Sequence, residues 1–197
     1  MIPCYNRVIF IQLVVMFSAL FSGVSSVGFS GSRTPSPAAL SALLSALACL
    51  PVSSCRVSVG CARGVDASVR GAFSGSSSLL VFSAAAPRFA RAGAVGALAL
   101  RSAACVRSVA TGARGLLLVL PSGACPAGVR PSRSFSGCGS GSWGSAALAV
   151  GLGRRVVVWL AAGVRPPVWS GFSWSSVGGG WWLCSPVPSA SVQLSLF

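Results

Sequence analysis

The chain of 197 residues carries fifteen arginines, no lysine, histidine or glutamate, and one acidic side chain, Asp66, for a formal charge of +14. That inventory excludes Ser-His-Asp and Cys-His nucleophiles, His-ligated metals, paired carboxylates and a phosphate-loop lysine. The length suits one domain with short extensions, and the charge calls for an anionic partner, nucleic acid first, because guanidinium forks match phosphate and release counterions on binding. GC-rich coding would account for the residue types, but not for the missing acids.

In chain order, the first feature is the apolar run Val8 to Val27, preceded by Arg7 and ending in Gly23, Ser25 and Ser26. It resembles a signal peptide or an anchor. However, Val27-Gly28-Phe29-Ser30-Gly31 continues at once as a strand, with no spacer after a membrane span. The expectation is therefore an extension (1–23) added to a cytoplasmic domain (24–163), without a membrane partner.

Short β-branched runs then alternate with Ala/Leu-rich segments, the order of a single α/β domain with a mainly parallel, doubly wound, Rossmann-like sheet. The predicted units start with a strand over Val24 to Ser30, the loop Gly31-Ser32-Arg33, and a helix over Ser36 to Leu50 with Leu40, Leu43, Leu44 and Leu47 facing the sheet. A strand over Arg56 to Gly60, a turn over Cys61 to Gly64, a helix over Val65 to Phe73 and a strand over Leu79 to Ser83 follow. Arg88 to Val109 reads as one long helix or two short ones, with Leu98, Ala99 and Val106 inward and Arg91, Arg101 and Arg107 outward. Gly115 to Pro121, with five consecutive Leu or Val residues, reads as a central strand covered on both faces. After the Arg-bearing loop Ala124 to Phe135 comes a Gly-rich turn, Gly137 to Gly144, then a helix over Ser145 to Leu152 and a strand over Arg155 to Leu160. Residues 164–192, rich in Pro, Gly and Trp, read as an irregular tail. The eight cysteines form no CxxC pair, which points to free thiols in a reducing compartment and to no metal site.

In a doubly wound sheet, ligands bind beyond the carboxyl ends of the strands. Three polar turns fall there: Gly31-Ser32-Arg33; Gly60 to Asp66 with Arg63 and Gly64; and Gly139-Ser140-Gly141-Ser142-Trp143 at a helix start. Hydroxyls, guanidiniums, backbone amides and a helix dipole together predict one phosphate or nucleotide pocket. Asp66 is expected to cap its helix or to accept from a ligand hydroxyl. Trp143, Trp159, Trp169, Trp174, Trp181 and Trp182 offer base-stacking surfaces, with Trp181 and Trp182 better suited to covering a sheet edge.

These turns carry a resemblance. Gly31-Ser32-Arg33 is similar to the glycine-serine-arginine loop of the SMF/DprA–LOG superfamily of Rossmann-like proteins. Gly60-Cys61-Ala62-Arg63-Gly64-Val65-Asp66 resembles the DprA pattern serine-glycine-x-alanine-arginine-glycine-isoleucine-aspartate, and Gly139 to Ser145 is similar to the family's glycine-rich phosphate loop. The resemblance implies binding of single-stranded DNA or a nucleotide ligand, in DNA processing and recombination. Homodimer formation stays open, and no cofactor is implied. The LOG-type catalytic Glu is missing, since Ser145, Ala146 and Ala147 stand after the loop, so no catalytic residue is assigned. Arg130 and Arg133 are only loose counterparts of a DprA arginine-asparagine-arginine motif. The last five residues, Gln193-Leu194-Ser195-Leu196-Phe197, match the bacterial sliding-clamp-binding motif at every position. That match implies docking on the replication clamp, with Gln193 at the pocket rim and Leu194, Leu196 and Phe197 buried.

Overall fold

The computed structural model describes residues 14–51 and 54–188. Seven strands form one sheet in the order β3-β2-β1-β4-β5-β7-β6. The strands are β1 (Ser26–Gly31), β2 (Arg56–Gly60), β3 (Leu79–Phe82), β4 (Gly112–Leu120), β5 (Arg154–Trp159), β6 (Phe172–Gly178) and β7 (Trp181–Pro186). β1 to β5 run parallel, and β7 and β6 add antiparallel at the β5 edge. The connecting helices are α1 (Pro37–Ala48), α2 (Val65–Ala72), α3 (Pro87–Ala90), α4 (Gly93–Ser108) and α5 (Gly141–Gly151). The expected Rossmann-like, doubly wound α/β domain is what the chain forms.

β4 shows why the two faces are covered. Its period-two alternation sends Leu116, Leu118 and Leu120 into one core and Leu117 and Val119 into the other, all fully buried. The first core takes α1, α2 and a helical segment at 14–21, whose Phe17 stacks on Phe21 and meets Trp181 edge-on. The second takes α4 and α5. Among the described residues, no helix is long and apolar enough to cross a membrane.

Three expectations are corrected. Residues 172–186 are no irregular tail: they form the β6–β7 hairpin, which pairs with β5 and closes that edge, with Trp181 fully buried. On α1 the buried face is Ala39, Leu43, Ala46 and Leu47, while Leu44 is 58% exposed, because the stripe advances by three and four residues and Leu44 falls beside it. Arg101 does not face outward from α4 but is buried, for the reason given below. The region 88–109 resolves into two helices, α3 and α4, and Ser36 caps α1 by accepting the Ala39 N–H at 3.2 Å.

Candidate functional site

The chain builds outward from β1 to β3 and then crosses back to β4, so the sheet reverses its winding between β1 and β4. At the carboxyl ends of these two strands and of β5 lies a cleft of about 210 Å³. It is lined by Thr34, Ser36 and Ala39 at the start of α1, by Pro121, Ser122 and Gly123 after β4, and by Trp159, Leu160, Ala161 and Val164. One wall therefore offers hydroxyls and a helix amino terminus, and the other is apolar. That is the form a ligand crevice takes at a winding reversal.

The first two predicted turns are joined beside this cleft. The Ser32 N–H donates its sheet bond to Leu120 O (2.8 Å), and the Ser32 carbonyl accepts the Val65 N–H at 3.1 Å. Gly64, at φ 72° and ψ −128°, lies so close that a Cβ would run into the backbone of Ser32 and Arg33. Only glycine permits both the conformation and the approach. The Ser32 hydroxyl, 8% exposed, accepts the Thr34 N–H at 3.0 Å and so shapes the first turn. Arg33 and Arg63 are exposed, and neither guanidinium has a hydrogen-bond partner among the described residues.

Asp66 is the polar centre of the second turn. It is 4% exposed, accepts the Ala62 N–H at 3.2 Å and meets Arg101 Nη1 at 2.9 Å. Gly60 makes room, since any Cβ there would collide with the Arg101 guanidinium and the Asp66 carboxylate. Arg70 braces the same turn by donating to Gly60 O (2.7 Å) and Ala62 O (3.0 Å). Burial pushes the Asp66 carboxyl up, while the charge of Arg101 and the Ala62 N–H pull against it. Asp66 does not cap α2, which has no side-chain cap bond; its carboxylate is instead turned to the Ala62 N–H and Arg101.

The third turn joins the same end by a different route. Ser140 caps α5 by accepting the Trp143 N–H at 3.4 Å, after Cys138 (φ 42°) and Gly139 (φ 88°) reverse the chain. Trp143 Nε1 donates to Gly123 O at 3.0 Å, tying this turn to the loop that lines the cleft. Gly31, Ser32, Arg33, Gly60, Arg63, Gly64, Asp66 and Gly139 to Trp143 do not line the cleft themselves.

The base-stacking expectation fails for most of the indoles, because they are used as core. Trp143, Trp159, Trp169 and Trp181 are at most 7% exposed. Trp143 meets Trp169 edge-on at 6.2 Å, and Trp169 packs on Trp174 at 5.3 Å. Trp159 and Trp169 donate to Gly179 O (3.1 Å) and Val129 O (3.0 Å). Trp182 sits half-buried on β7.

Ser145, Ala146 and Ala147, which follow the Gly-rich turn, are buried in α5, and Ser145 Oγ donates to Gly141 O at 3.0 Å. All seven cysteines in the described residues are free thiols, and no cluster there could hold a metal ion. Gln193 to Phe197 lie outside the described residues. The cleft residues Pro121, Ser122 and Gly123 escaped the sequence reading, although their place directly after the most apolar strand marks the carboxyl end of the sheet centre. Comparison with family models, with curated proteins and with solved structures finds no match for this chain.

Proposed function

We propose that the chain is a DprA-like DNA-processing protein that holds phosphates of single-stranded DNA, or of a nucleotide, at the carboxyl end of its sheet. One observation carries this reading. The Gly31-Ser32-Arg33 and Gly60-to-Asp66 turns are bonded to each other through Ser32 O and Val65 N, beside the cleft at the winding reversal, with Arg33 and Arg63 exposed and without hydrogen-bond partners among the described residues. Closely packed glycines and the Asp66–Arg101 pair stiffen the frame, so the two free guanidiniums sit on a preorganised rim. They clamp phosphate, and the α1 amino terminus adds its dipole at the cleft.

Titration of the full chain with labelled oligothymidylate and with thymidine monophosphate tests this. R33A/R63A should lose binding of the mononucleotide and weaken binding of the oligonucleotide while keeping its thermal midpoint; retention of both ligands at unchanged affinity rejects the site. Binding that saturates with the mononucleotide alone assigns the cleft to a small nucleotide ligand. The tail peptide Gln193 to Phe197 is proposed to dock on a sliding clamp, with about 1.5–3 kcal/mol from each apolar side chain fully buried. Deleting Phe197 should abolish clamp capture and spare DNA binding; capture that survives the deletion rejects the docking reading.

A further inference from the structure

We propose that the opposite, amino-terminal end of the sheet is a second surface for the sugar-phosphate backbone of nucleic acid, built from Arg56, Arg107, Arg114, Arg133, Arg154 and Arg155. The topology gathers these residues. Arg56 opens β2, Arg154 and Arg155 open β5, Arg114 lies near the start of β4, and Arg107 ends α4, which leads into β4. Pairing register aligns them across the sheet: Arg56 is level with Ser26, Ser26 with Gly115, and Arg155 with Leu116. Between Gly112 and Leu116 the β4 ladder is irregular, and this bulged stretch presents Arg114. Arg107 Nη2 donates to Arg133 O at 3.3 Å, which brings Arg133 into the group.

Backbone carbonyls, not carboxylates, hold the cluster. Arg154 donates to Val109 O (2.7 Å), Arg107 O (3.0 Å) and Leu152 O (3.4 Å), and Arg56 donates to Ser108 O (3.2 Å). Arg155 donates to Leu20 O and Ala113 O, both at 3.4 Å. Carbonyls at the end of α4 suit cations, since the helix dipole is negative there, but they supply no net charge. The chain's one acidic side chain, Asp66, is buried against Arg101 at the other end of the sheet. Burial and the neighbouring Arg107 push Arg154 down from the usual guanidinium range, the mark of like charges held together. Arg114 and Arg133 are exposed, and their guanidiniums have no hydrogen-bond partner among the described residues.

Charge complementarity selects a polyanion, and the flanking residues select nucleic acid over a lipid surface. Among the described residues, none of these arginines has an exposed large apolar side chain as a sequence neighbour, which favours nucleic acid over a bilayer beside the charge. From β2 to β5 the row crosses three strand spacings, about 14 Å, the length of about four phosphates on one strand of a duplex. Arg forks bind such phosphates bidentately.

The test measures binding of labelled oligothymidylate to the full chain at about 50 and about 200 mM salt. R114Q/R133Q should make the slope of log affinity against log salt shallower by about 1.4, and R114Q alone by about 0.7. Both variants should keep the thermal midpoint and thymidine monophosphate binding. Loss of mononucleotide binding in R33A/R63A with an undiminished R114Q/R133Q effect separates this surface from the carboxyl-end site. The inference is overturned by an unchanged slope in both amino-end variants or by an unaltered chain that does not bind the oligonucleotide. It is overturned equally by capture on vesicles of equal parts phosphatidylcholine and phosphatidylglycerol in place of the oligonucleotide.

Discussion

The two ends of the sheet use arginine in opposite ways. At the carboxyl end, Arg101 is buried against the only acidic side chain, and Arg70, whose charge also acts on that carboxylate, donates to two loop carbonyls, so both serve to shape a turn. At the amino end, Arg56, Arg154 and Arg155 also bond carbonyls, yet no carboxylate among the described residues balances them. Arginine content alone therefore says little about binding. What distinguishes a fold element from a binding group is whether its charge is neutralised within the chain.

The largest effect that sharpens this contrast comes from D66A. It strands the buried Arg101 charge and frees the Ala62 N–H, so urea melts should show a loss of about 3–5 kcal/mol. R114Q, at the other end, should stay within about 0.5 kcal/mol. If both variants melt alike, the distinction between neutralised and free arginines is wrong.

Next comes G64A. Its strained backbone and its collision with Ser32 and Arg33 should cost about 2–4 kcal/mol, against about 1–2 kcal/mol for G75A, where φ is also positive (78°) but the space is open. Equal losses in the two variants would mean that the first two turns are not packed together.

The smallest effect is chemical. Cys105, near the Asp66–Arg101 pair, is pushed up to about 12 by burial and by the Asp66 charge, and Cys184 to about 12 by burial. Both should resist alkylation near neutral pH until the chain unfolds, whereas exposed Cys138 should be modified promptly in the native protein. Mass spectrometry of the labelled peptides checks this. Rapid labelling of Cys105 would show that the interior behind the carboxyl-end turns is open.

Much of the fold was legible because it rests on local patterns. The Ser36-Pro37 start, the Leu116 to Leu120 run and the strand at Arg56 to Gly60 each carry their own signal in period, cap or composition. The β6–β7 hairpin was hidden, since Gly178, Gly179 and Gly180 and the flanking prolines imitate a linker, and only pairing with β5 makes strands of the intervening residues. The candidate site was half legible. Gly64 and Asp66 stand out by residue type, but that Asp66 would be claimed by Arg101, from a helix 35 positions later, depends on tertiary packing. The same packing turned Trp143 and Trp169 inward. The amino-end arginines were invisible as a group, because they lie on five separate segments that only the sheet register and the Arg107–Arg133 bond bring together.

Backbone amide exchange of the full chain, with and without saturating oligothymidylate, tests the central claim most directly. Phosphate held at the carboxyl end should slow exchange across residues 31–36 and 60–65, and R33A/R63A should erase that protection. Unchanged exchange in both stretches, with the oligonucleotide demonstrably bound, would contradict the account.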